Sequence, residues 1–97
     1  MDTNIDAILI TDQDNVATVT REVAAGEHVR FLRNGKAVEI TSSGVPKYHK
    51  IAVEAIPRGG QVRKYGEVIA VATQDIPQGA HVHTHNVTSG VQEGDAV

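Results

Sequence analysis

The chain has 97 residues, 12 acidic and 9 basic, for a net charge of −3, which allows one small domain. Fourteen Val and eight Ile stand against two Leu, with eight Thr, nine Gly and three aromatics (Phe31, Tyr48, Tyr65), so composition predicts an all-β fold and excludes a helical bundle. The absence of Cys excludes a disulfide scaffold, a thiolate metal site and a Cys nucleophile.

In chain order, Ile5 to Thr11 reads as an edge strand ending in the acidic turn Asp12-Gln13-Asp14-Asn15. Asn15 to Val23 alternates as a half-buried strand. His28 to Leu32 and Lys36 to Thr41 flank Arg33-Asn34-Gly35, and Asn-Gly between alternating runs signals a hairpin. The segment Val45 to His49 permits one helical turn. Lys50 to Ile56, Gln61 to Tyr65, Val68 to Thr73 and His81 to His85 follow as short strands. From Val87 onward the chain reads as a loose, Gly- and acid-rich tail.

A corner recurs three times: Val23-Ala24-Ala25-Gly26, Ile56-Pro57-Arg58-Gly59 and Ile76-Pro77-Gln78-Gly79, each followed three residues later by Val. Glycine supplies the positive φ of a tight turn between two strands. Thr20 with Val23 also matches Thr73 with Ile76 at an offset of 53. Three such corners predict folded-over hairpins with a pseudo-twofold, not a flat sandwich of long strands.

The charge is unevenly spread. His28 to Lys64 holds eight Lys or Arg and two acids, whereas the remainder holds one Arg and ten acids. Net acidity and scarce aromatics argue against nucleic acid as a partner. A local basic face toward a small organic anion fits, as does ordinary solvation. No apolar run reaches the ~18 residues of a membrane span, and Met1 is followed by an acid, so neither a membrane nor a secretory signal is expected. The expected location is the cytoplasm.

Chemistry concentrates in His81-Val82-His83-Thr84-His85-Asn86. On an extended strand the three histidines would share a face, neighbours roughly 6.6 Å apart along it. Two could reach one divalent metal, while the third, about 13 Å from the first, needs a bend. Two imidazoles with an outside ligand would suit Zn, Fe, Ni or Co, and imidazoles also serve as general acids or bases near neutral pH. Lys47-Tyr48-His49-Lys50 and Arg63-Lys64-Tyr65-Gly66 add cations, hydroxyls and an imidazole of the kind that hold a carboxylate or polyol.

These stretches carry a resemblance. Lys64-Tyr65-Gly66-Glu67-Val68-Ile69-Ala70-Val71-Ala72-Thr73, continuing through Asp75 to Asn86, is similar to the SAF-type domain of the altronate and galactarate dehydratase family. His49-Lys50-Ile51-Ala52, the Ile56-to-Gly59 corner, and Asp14-Asn15-Val16-Ala17 leading to Ala25-Gly26 match the same pattern. The resemblance implies a β-clip fold over 1–88 with a flexible acidic tail over 89–97. It implies a small subunit, inactive alone, that helps a large dehydratase subunit eliminate water from an altronate- or galactarate-like sugar acid. A divalent metal (Fe, Mn or Zn) would be held mainly by that partner, and self-association stays open. Combined with the reading of the residues above, this makes His81, His83 and His85 the expected catalytic groups of a shared site, His49, Lys64, Tyr65 and Asn86 the expected substrate-binding groups, and His83 with His85 the expected metal ligands. Sulfolactate sulfo-lyase has a similar small subunit and supplies one alternative; a non-catalytic module binding a sugar acid or a partner supplies another.

Overall fold

The computed structural model describes residues 5–89, and among them every regular element is a β-strand. The strands are β1 (Ala7–Ile8), β2 (Val16–Val19), β3 (His28–Arg33), β4 (Lys36–Thr41), β5 (Lys50–Ala52), β6 (Gln61–Lys64), β7 (Glu67–Ala72), β8 (His81–Val82) and β9 (Val87–Thr88). They form a four-stranded sheet β1-β2-β5-β8, a β3-β4 hairpin and a three-stranded sheet β6-β7-β9, antiparallel throughout.

The β2–β5 ribbon organises the interior. Val16 pairs with Ala52 and Ala17 with Ile51, and alternation sends these pairs to opposite sides. Ala17 and Ile51 enter one core with Val29 and Phe31 of the first hairpin. Val16 and Ala52 enter a second with Val62 and Ala70 of the second hairpin. One short ribbon, buried except at the half-buried Thr18 and Lys50 pair, thus serves two cores.

The halves repeat one hydrogen-bond pattern, the pseudo-twofold the corners predicted. Asp6 exchanges backbone and side-chain bonds with Arg30 as Asn15 does with Arg63. Val23 pairs with Val45 as Ile56 pairs with Ile76. The symmetry therefore relates the first corner to the Ile56 corner, not to the Ile76 corner suggested by the Thr20 and Thr73 match.

Four expectations change. Residues 45–49 form a fourth corner instead of a helical turn: Val45 makes the bridge, and Tyr48 takes positive φ (69°) where the other corners use Gly26 (90°), Gly59 (83°) and Gly79 (89°). The strand begun at His81 ends at Val82, because residues 83–86 close a turn. Val87–Thr88 is not a tail but pairs with β7, and the tail expected beyond Ser89 lies outside the described residues. The strands at 5–11 and 50–56 shrink to β1 and β5, the first being ended by a turn in which Asp14 N–H donates to Thr11 O.

Gly79 is where the halves meet. Its carbonyl accepts from Ser43 N–H at 2.9 Å, and a Cβ on it would run into the Thr41 carbonyl oxygen. A Cβ at Gly59 meets open space. Gly59→Ala should therefore cost only the left-handed backbone term, about 1–2 kcal/mol. Gly79→Ala adds backbone overlap and should cost about 2–4 kcal/mol. Thermal melts read the difference at about 4–8 °C per kcal/mol; equal losses would contradict this packing.

Candidate functional site: a histidine and lysine cluster

Three segments build the site. The fourth corner delivers His49 and leads into β5, β8 lies against β5 with His81 opposite Ile51, and the turn after β8 carries His83 and His85. His49 Nδ1 and His81 Nε2 are 2.8 Å apart, so one donates and the other accepts. The His49 and His83 rings lie 4.6 Å apart by centroid, His81 and His83 stack at 5.5 Å, and His85 sits 5.2 Å from His81. The bend that a three-histidine site needs is therefore present.

Asn86 makes that bend. Its buried side chain accepts from His83 N–H at 3.0 Å and donates to His81 O at 2.9 Å, while its own N–H donates to His83 O. Both polar ends of the side chain are used on the loop backbone, which places Asn86 as a support for the histidines. Val82 is fully buried, whereas Thr84 is exposed.

Two lysines join the cluster. Burial, then the neighbouring Lys64, holds the Lys50 ammonium below its ordinary range. Burial also lowers His81, helped by His49, His85, His83 and Lys50, which favours its neutral form. Lys64 ends β6, its Nζ 5.0 Å from the centre of the exposed Tyr65 ring. Among the described residues neither Lys50 nor Lys64 forms an ion pair. The result is a cationic cluster suited to an anion.

The Lys64-Tyr65-Gly66 turn has its own anchor. The Asp14 carboxylate, almost fully buried, accepts from Tyr65 N–H (3.0 Å), Gly66 N–H (2.9 Å), Thr11 N–H (3.1 Å) and Thr11 Oγ1 (2.8 Å). Burial pushes this carboxyl up, and the bonds from Gly66, Thr11 and Tyr65 outweigh it, holding it below its ordinary value. Lys50 belongs to the Lys47–Lys50 cluster expected to hold an anion, whereas no site role was expected of Asp14.

For a metal, the donors the fold gathers are His49, His81 and His83, whose nitrogens lie within 4.8 Å of one another. Ligands on a tetrahedral ion with bonds of about 2.1 Å sit roughly 3.4 Å apart, so this set fits after small ring adjustments. The expected pair was His83 with His85; His49 takes the place of His85 because β5 pairs with β8. The main apolar recess, about 410 Å³, lies elsewhere, between Ile56-Pro57 and Ile76-Pro77, and no site residue lines it. The histidine face is open.

A small all-β domain with an open histidine and lysine face is a recognisable type of module. The family model of the altronate/galactarate dehydratase SAF domain matches residues 5–90, and the chain belongs to that family. It is 35% identical over 86 residues to altronate dehydratase of Bacillus subtilis (strain 168), covering 89% of this chain and 17% of that protein. It is 33% identical over 75 residues to galactarate dehydratase (L-threo-forming) of Escherichia coli (strain K12), covering 77% of this chain and 14% of that protein. Against (2R)-sulfolactate sulfo-lyase subunit alpha of Paracoccus pantotrophus it is 45% identical over 42 residues, 43% of this chain and 63% of that subunit. The chain thus spans less than a fifth of the dehydratases it matches.

Asn86→Ala should lower stability by about 1–3 kcal/mol, because it strands the His83 N–H and the His81 carbonyl. His85→Ala, at an exposed ring, should stay within about 0.5 kcal/mol of the wild type. Denaturant melts of both variants check this; an unshifted Asn86→Ala would show that the turn does not need the side chain.

Proposed function

We propose that this chain is the small module of a sugar-acid dehydratase, acting with a large catalytic part on an altronate- or galactarate-like substrate in the cytoplasm, and inactive alone. The observation that carries it is the cluster of four imidazoles and two ammoniums on an open face of a domain that belongs to the dehydratase family.

Dehydration removes a proton α to a carboxylate and a hydroxyl from the next carbon, leaving an enol that becomes a 2-oxo acid. Lys50 and Lys64, with the Tyr65 hydroxyl at the rim, meet the substrate carboxylate and polyol. His81 is hydrogen-bonded to His49 and burial favours its neutral form, so the pair can pass a proton along its 2.8 Å contact. His83 and His85, exposed on the turn, reach the substrate and exchange protons with it, and Asn86 holds them in place. A divalent cation such as Fe, Mn or Zn, bound by His49, His81 and His83 or shared with the partner, would supply charge stabilisation for the enolate. The open face needs a covering partner to exclude water from the reacting centre.

A sulfolactate sulfo-lyase subunit is the second reading, favoured by the 45% identity to a subunit alpha. It asks the same of the site, with sulfite leaving in place of hydroxide.

The test is to purify the chain with the large part of such an enzyme and assay altronate, galactarate and sulfolactate. The complex should turn over one of them and the isolated chain none. His83→Ala and His85→Ala should each lower kcat by about 10²-fold, with melting unchanged, while the control Val82→Ala destabilises. Full activity in both histidine variants would remove them from the mechanism. Association without turnover of any substrate would leave a binding module.

A further inference from the structure

Tyr48 sits where the fold wants glycine. The corners at Gly26, Gly59 and Gly79 use φ of 83–90°, and Tyr48 holds the equivalent position at 69°. Its backbone role is the same as that of Gly79: Tyr48 N–H donates to Val19 O as Gly79 N–H donates to Ala52 O. A bulky side chain in this region is strained, and such strain clusters at functional sites. The ring gives the fold nothing in return. It is 68% exposed, with the Lys47 ammonium 4.8 Å from the ring centre.

The location is informative. Among the described residues the other bulky side chain at positive φ is Tyr65, also exposed and also beneath a lysine, in the turn beside Lys64. Both strained tyrosines thus border the histidine and lysine cluster, Tyr48 through its neighbour His49. An exposed tyrosine beside a lysine is the kind of anchor that protein interfaces bury, since it offers large area at small entropy cost. The family's dehydratases carry this domain as under a fifth of their length, so a larger body is available to cover the face.

We propose that Tyr48, with Lys47, is a docking anchor for the large dehydratase part, seated in an apolar recess edged by acidic groups. This rests on the functional reading above. The contact is to protein and not to sugar acid, because Lys47 occupies a face of the ring that a polyol would stack on.

The experiment compares wild type, Tyr48→Gly and Tyr48→Ala in three readouts: melting of the chain alone, Kd for the large part, and KM of the assembled enzyme at saturating chain. Tyr48→Gly should melt at or above the wild-type temperature, and both variants should bind the large part at least 10-fold more weakly, with KM unchanged. A lower melting temperature for Tyr48→Gly would make the ring a fold element and overturn the proposal. Unchanged Kd with raised KM would move Tyr48 to the substrate site, also overturning it. If the wild type itself fails to bind the large part, the functional reading falls and takes this inference with it; if the wild type binds and the variants bind equally, this inference alone falls.

Discussion

The pairing of β2 with β5 is the constraint on which the rest of the molecule depends. Three residue pairs, Val16 with Ala52, Ala17 with Ile51 and Thr18 with Lys50, fix the register. A slip of β2 by one residue would send Ala17 to the wrong core and Val16 to the other. Because β5 also receives β8, the same register decides which histidines meet. His49 precedes β5 and His81 opens β8, so their 2.8 Å contact is a product of sheet pairing and not of any local motif.

Around that ribbon the chain spends polar side chains on backbone edges. Asp6 fastens β3, Asn15 fastens β6, Asp14 fastens the Tyr65 turn, and Asn86 fastens the histidine turn. Each is a short carboxylate or amide accepting from N–H groups that a small domain with two-residue strands would otherwise leave unpaired. Aliphatic cores and polar clasps together hold a cationic face whose groups repel one another. Burial first, and that repulsion second, make Lys50 and His81 favour their neutral forms more than usual, and a bound anion would relieve the repulsion.

The sequence disclosed the strand class, the Asn34-Gly35 hairpin and three of the four corners, since each had a residue suited to positive φ at the right place. The fourth corner was hidden because Tyr48 stands at the glycine position. The histidine run was legible as chemistry but not as shape. Read as an extended strand it spreads the rings along one face, whereas Asn86 folds them together through bonds to residues three and five positions back. His49 was assigned to the substrate, and its union with His81 and His83 requires the long-range β5–β8 pairing, which no local pattern encodes.

The central claim is that His49 and His81 form one electrostatically coupled pair within the cluster. Nuclear magnetic resonance titration of the imidazoles, in chelator-treated protein, tests it most directly. Burial and its cationic neighbours favour neutral His81, so it should take up its proton only below the ordinary imidazole value of about 6.5. In His49→Gln, which removes one of those neighbours, its midpoint should rise toward that value. A His81 that titrates in the ordinary range and does not respond to the loss of His49 would contradict the account.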